Sequence, residues 1–146
     1  MTDKNILEIA KNTLEQGGYT CVLTDGDTFY TSTLRGVKPL VRFIEDGELP
    51  FGLYAADKVV GRATAYLYVI LGIKALYAAI ISRPALEVLE AAHIPVSYGI
   101  SVPNIINRSG NGICPFEEAV MDACEPDGAY SLIIKKMAEL NISIDD

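Results

Sequence analysis

The sequence predicts a three-layer α/β/α domain with a mixed sheet and an N-terminal antiparallel hairpin. Three observations predict it. The first is a hairpin signal, in which "YTCVLT" and "TFYTST" flank Asp25-Gly26-Asp27. The second is an alternation of strand and helix patterns from Leu53 to Ile100, which demands crossover connections and therefore parallel strands. The third is the composition: 146 residues, half of them hydrophobic, fit one domain, taken as residues 1–146, with a continuous core.

The elements follow in order. Ile6, Ile9, Ala10 and Leu14 recur at helical spacing, so a helix runs over 3–16 and stops at Gly17-Gly18. The hairpin comes next. "VKPLVRFIEDG" is a short helix closed by Gly47, and "FGLYA" is a short strand or extended lead-in. "DKVVGRATAYLYVILG" is apolar nearly all round, which predicts a buried helix over 57–72 with Asp57 as N-cap and Gly72 as stop. "KALYAAII" is an apolar strand. "SRPALEVLEAAH" is a helix with Ser82 as N-cap and an early proline. "PVSYGI" is the last strand. "CPFEEAVMDA" and "DGAYSLIIKKMAELN" are helices, the second with Tyr130, Ile133, Met137 and Leu140 on one apolar face. No repeat, linker or low-complexity segment interrupts this order.

Composition excludes several function classes. A net charge of -7 opposes general nucleic-acid binding, which needs a basic surface to displace counterions. The most apolar stretch, 59–81, is broken by Arg62, Gly72 and Lys74 into pieces too short to span a bilayer. The N-terminus reads as a polar amphipathic helix rather than a signal peptide, and three cysteines make no disulfide framework. A cytoplasmic protein without membrane attachment is expected. His93 sits at a helix C-terminus, away from the other polar candidates, where it complements the helix dipole. Cys124 is expected in the core. The Cys and His count is too low for a closed zinc site, so no metal and no cofactor are implied.

The polar residues cluster at the predicted carboxyl ends of the strands. In an open parallel sheet ligands bind there, and helix N-termini point the same way. Asp57, Lys58 and Arg62 lie at one junction, and Ser82 and Arg83 at the next. Asn107, Arg108, Gly110, Gly112, Cys114 and Glu117 follow the last strand. On the predicted helix Lys58 and Arg62 are one turn apart and share a face. With Arg83 and Arg108 they put four cations near one edge of an acidic protein, a setting for a small anionic or nucleotide-like molecule. Taken singly, each charge also reads as an ordinary solvated residue, and "GNG" as a simple turn. Cys114 reads two ways. A thiol at a helix N-terminus ionises more easily, yet Cys114-Pro115-Phe116-Glu117 also has the form of a capping box with cysteine in place of serine.

"ADKVVGRATA", "IISRPALEVLEA" and "NRSGNGICPFEEAV" together resemble a prokaryotic family, domain of unknown function 1893, over residues 5–125. The resemblance implies a fold similar to the cytidine deaminases. The deaminase zinc set is missing, however. It needs His-x-Glu or Cys-x-Glu on one helix and Pro-Cys-x-x-Cys on the next. Here those positions carry Asp57-Lys58 and Ser82-Arg83-Pro84, and no Cys-x-x-Cys occurs. Three functions stay open. One is a metal-free site for a nucleotide-like or other anionic ligand. Another is a thiol-dependent enzyme using Cys114, with Asp57 or Glu117 moving protons. The third is a non-enzymatic regulatory or interaction module. The terminal helix with the "NISIDD" tail could serve a homodimer interface or simply cover the sheet.

Overall fold

A computed structural model describes residues 2–107 and 109–143. The described elements are α1 (Asp3–Gly17), β1 (Cys21–Thr24), β2 (Phe29–Ser32), α2 (Lys38–Asp46), β3 (Tyr54–Val60) and α3 (Arg62–Leu71). They continue with β4 (Ala75–Ser82), α4 (Arg83–Ala91), β5 (Val96–Val102), α5 (Pro115–Ala119) and α6 (Pro126–Glu139). The strands form one mixed sheet in the order β2-β1-β3-β4-β5. β1 is antiparallel to both β2 and β3, whereas β3, β4 and β5 run parallel.

Period-two alternation along the strands divides the core between two layers. Val22 and Ala56 face α1 and meet Ala10 and Leu14. Leu23, Ala55 and Leu76 face the larger layer, where Leu40 of α2, Leu67 of α3, Leu89 of α4 and Ile133 of α6 pack together. The hairpin turn is held by Asp25, whose carboxylate accepts from the N–H groups of Thr28 (2.8 Å) and Asp27 (2.9 Å). Those donors hold the Asp25 carboxyl below the usual carboxylate range.

The structure corrects the start of the buried helix. Asp57 and Lys58 belong to strand β3, and α3 begins only at Arg62 with Gly61 at the N-cap. The β-branched pair Val59-Val60 continues the parallel ladder against Ile80-Ile81, and Gly61 ends it. A continuous apolar run does not distinguish buried strand from buried helix by period, so the sequence pattern fused the two. Asp57 therefore caps no helix, and Lys58 and Arg62 are not neighbours on a helical face. The preceding strand correspondingly starts later than "FGLYA" suggested, at Tyr54.

The C-terminal third differs in smaller ways. α5 is five residues rather than ten. Cys124, expected in the core, is exposed in the turn before α6, with its Sγ 3.6 Å from the Asp122 carbonyl. Ile133 and Met137 are buried as the apolar face requires, but Leu140 is largely exposed beyond the helix end. Among the described residues no helix is long and apolar enough to cross a membrane.

Leu67 lies at the centre of α3 and is fully buried in the larger layer. Leu67→Ala should lower unfolding free energy by about 2–5 kcal/mol, through lost transfer energy plus a cavity. Urea denaturation checks this through a lower midpoint at unchanged slope.

Candidate functional site

The parallel register brings the carboxyl ends of three strands side by side, with Val60 opposite Ile81 and Ser82 opposite Val102. Beyond this edge lies a small cleft of about 40 Å³ lined by Arg62, Pro84, Asn104, Ile113, Glu117 and Met121. Arg62 opens α3, Pro84 lies in the first turn of α4, and the rest come from the segment after β5. Of the described residues singled out in the sequence, only Arg62 and Glu117 line this cleft.

The centre of the cleft is an internal cap. Glu117 is buried, and its carboxylate accepts from the N–H of Arg62 (2.6 Å) and of Ala63 (2.9 Å). A carboxylate at a helix N-terminus satisfies donors that the helix itself leaves open and meets the positive end of its dipole. Gly61 makes this possible, since a Cβ there would lie 2.5 Å from the Glu117 carboxyl group. The capping box expected at Cys114 does not form. Cys114 makes no side-chain cap bond, and Glu117 serves another helix instead of its own. Arg62 and Tyr66, one turn apart on α3, both donate to the Ala123 carbonyl, at 3.2 and 2.8 Å. They tie the segment between α5 and α6 to the same helix. Arg62 Nε is buried and has no hydrogen-bond partner among the described residues.

The other candidates are distributed as follows. Ser82 is fully buried and caps α4, accepting from Ala85 N–H at 3.2 Å. Arg83 and Lys58 are exposed, and strand alternation turns Lys58 away from Asp57. Asn107, Gly110 and Gly112 build a tight loop closed by the Ile106–Ile113 bridge. Asn107 N–H donates to the Gly112 carbonyl at 2.8 Å, and Gly110 N–H to the Asn107 carbonyl at 3.1 Å. Gly110 has φ 75°, which explains a glycine there without any ligand. Cys114 is half-buried. Arg108 lies outside the described residues. Among the described residues no group of three His, Cys, Asp or Glu is placed to hold a metal. The sequence reading singled out Arg62 and Glu117 without pairing them, and it missed Pro84, Asn104, Ile113 and Met121 as lining. The four-residue spacing of Glu117 and Met121 was the available signal for the last.

Asp57 belongs to a separate buried chain of polar groups. Tyr68 O–H donates to its Oδ2 at 2.6 Å, Val59 N–H donates to its Oδ1 at 3.1 Å, and Cys21 Sγ is 3.4 Å from the Tyr68 hydroxyl. Burial pushes the Asp57 carboxyl up to about 7, against the opposing pull of those two donors. Burial and the nearby Asp57 also push the Cys21 thiol up. A buried thiol of this kind is inert rather than nucleophilic.

Glu117→Ala should cost about 1–3 kcal/mol by stranding two N–H donors of α3. Gly61→Ala should destabilise the native protein but cost much less in the Glu117→Ala background, a coupling that a double-mutant cycle in urea measures. Asp57 makes stability pH-dependent. The unfolded carboxyl releases its proton near 3.8 and the folded one only near 7, so its contribution is full at low pH and is lost as pH rises through about 7. Relative to Asp57→Asn, the native protein should lose on the order of 3 kcal/mol between about pH 4.5 and about pH 8. Denaturation of both proteins at the two pH values checks it, and parallel pH profiles would show that Asp57 does not titrate in this range.

Comparison with curated proteins gives no match. Among solved structures, the DUF1893 family protein TM1506 from Thermotoga maritima superposes with a TM-score of 0.85. It shares 25% sequence identity, over 93% of this chain and 92% of that one. The family model for the domain of unknown function DUF1893 matches residues 9–137, which is most of the chain. The chain belongs to the DUF1893 family.

Proposed function

We propose that the chain acts as one domain that binds a small anionic group, without a metal, in the cleft between the starts of α3 and α4. The observation that carries this reading is Arg62. Arg62 lines the cleft, and its guanidinium spends Nη2 on the Ala123 carbonyl, while Nε has no acceptor among the described residues. A buried charged donor without a partner is costly, so an oxygen ligand offered to this guanidinium gains more than it would at an exposed arginine. Arg83, close by in sequence to Pro84, adds exposed positive charge at the same edge.

The geometry also narrows the ligand. The N–H groups opening α3 are engaged by Glu117, and Ser82 caps α4, so helix N-termini supply less of the attraction than the sequence pattern implied. A cleft of about 40 Å³ takes one carboxylate- or phosphate-sized group. Sites that enclose a whole nucleotide-sized molecule are typically about 300–1,000 Å³. A nucleotide-like ligand would therefore insert its charged group and leave the remainder at the rim. The carboxylate of Glu117 favours ligands that also bring an O–H or N–H donor. In this reading the cleft stands in the position suggested by the deaminase-like strings, with Ser82-Arg83-Pro84 where zinc ligands would be.

A non-catalytic role is the second reading, and Asp57 favours it: the carboxylate proposed for proton transfer is committed to Tyr68 and Val59 inside the core. Cys114 carries the thiol alternative alone, from a five-residue helix.

A thermal-shift screen with inorganic phosphate, small hydroxy- and amino-carboxylates, phosphosugars and nucleotides tests the proposal. A ligand specific to the folded state raises the melting temperature, by the equivalent of about 2.7 kcal/mol at a hundred times its dissociation constant. The shift should disappear in Arg62→Met, a variant whose folding is followed separately by circular dichroism. No shift with any of these anions, or an undiminished shift in folded Arg62→Met, would remove the site.

A further inference from the structure

We propose that β5 is a self-association edge, pairing antiparallel with β5 of a second copy across a two-fold axis at Gly99. Among the described residues β5 is bonded to β4 on one side only, because it ends the sheet. Its seven residues, VSYGISV, contain no charge and no proline. Proteins commonly blunt such an edge with lysine, proline or extreme shortness, and none of these protects β5. The opposite edge, β2, is only four residues long. β5 also leaves large apolar side chains in solvent, with Tyr98 at 46% and Ile100 at 57% exposure.

The sequence of the strand identifies the occupant. With its flanking residues it reads Pro95-Val96-Ser97-Tyr98-Gly99-Ile100-Ser101-Val102-Pro103. Read backwards it is the same string with Tyr98 and Ile100 exchanged. An antiparallel partner centred on Gly99 therefore sets Val96 against Val102, Ser97 against Ser101 and Tyr98 against Ile100 in both halves. Apolar meets apolar and hydroxyl meets hydroxyl, the cross-strand pairs that stabilise a sheet. The two prolines, which cannot donate to a ladder, close the paired segment at both ends. Such self-complementarity is what a two-fold contact between identical surfaces requires. Gly99 has its own reason to lack a side chain, since a Cβ would lie 2.7 Å from the Ala79 carbonyl oxygen. Its consequence for the partner is a bare axis where two backbones can meet.

Each copy carries a net charge of -7, so two copies repel, while the paired strands themselves bring no charge together. Association should therefore tighten as salt screens the repulsion. This surface is distinct from α6, the terminal helix.

Sedimentation velocity over a concentration series tests the proposal. The native protein should show a reversible monomer–dimer equilibrium that strengthens with salt. Ile100→Lys and Tyr98→Lys should each raise the dimer dissociation constant about tenfold or more, while the melting temperature of the dilute monomer stays unchanged because both sites are exposed. The register is read by mixing: Tyr98→Lys with Ile100→Glu sets lysine against glutamate across the axis, and the mixed pair should dimerise more tightly than either variant alone. A native protein that stays monomeric at all concentrations overturns the proposal. So does a dimer indifferent to Ile100→Lys, or a mixture no tighter than its components. A monomer that instead captures extended peptides at β5 would also overturn it, by assigning the edge to another partner.

Discussion

The Glu117 carboxylate at the start of α3 is the contact on which the cleft end of the molecule depends. α3 is the helix that the larger core layer surrounds, and its first donors have no partner within the helix itself. A side chain from 55 residues further along the chain supplies the acceptors. Gly61 is bare because that carboxylate occupies the space a Cβ would need. The same helix turn sends Arg62 and Tyr66 to the Ala123 carbonyl, so the segment carrying Glu117 is held at both ends. Capping, the glycine and the placement of the post-β5 segment are one cooperative arrangement.

That arrangement sets the chemistry available at the sheet edge. In parallel α/β folds a ligand anion often takes the helix N-terminus. Here an internal carboxylate has taken it, and what is left over is the partly unsatisfied guanidinium of Arg62. The proposed anion binding therefore rests on a side-chain charge and a narrow space rather than on open backbone donors. A site of that kind selects for a small charged group and does not by itself define a reaction. The Asp57–Tyr68–Cys21 chain is a second polar feature with another task. It threads β3, α3 and β1 through the core, and its burial makes the carboxyl hold its proton to about 7. Nothing in its contacts opens it to a ligand.

The sheet is finished differently on its two sides. β2 is short and leads into the loop that Thr20 fastens, donating to the Ser32 and Leu34 carbonyls at 3.0 and 2.6 Å. β5 is longer, uncharged and bordered by prolines. An edge like this is either a hazard or a contact surface, and the reversed symmetry of its residues is what a contact with its own copy would need.

Much of the fold was legible in the chain because its signals are local. Asp25-Gly26-Asp27 marks a turn, Ser82 before Arg83-Pro84 marks a helix start, and Gly18, Gly47 and Gly72 all adopt the left-handed conformation that ends helices. The strand–helix alternation likewise required parallel strands. The boundary inside DKVVGRATA was not legible, because an apolar run is compatible with both buried strand and buried helix until its ladder partners, Ile80 and Ile81, are known. The pairing of Glu117 with α3 was hidden for a related reason. Its position three residues after Cys114 matches a local cap, and only the packing of α5 beside α3 offers the carboxylate a better set of donors. The sequence by itself therefore determined which elements form and which end of the sheet collects polar residues. Tertiary structure alone decided which of those residues meet, because hydrogen bonds across 55 residues are chosen by packing and leave no periodic trace in the chain.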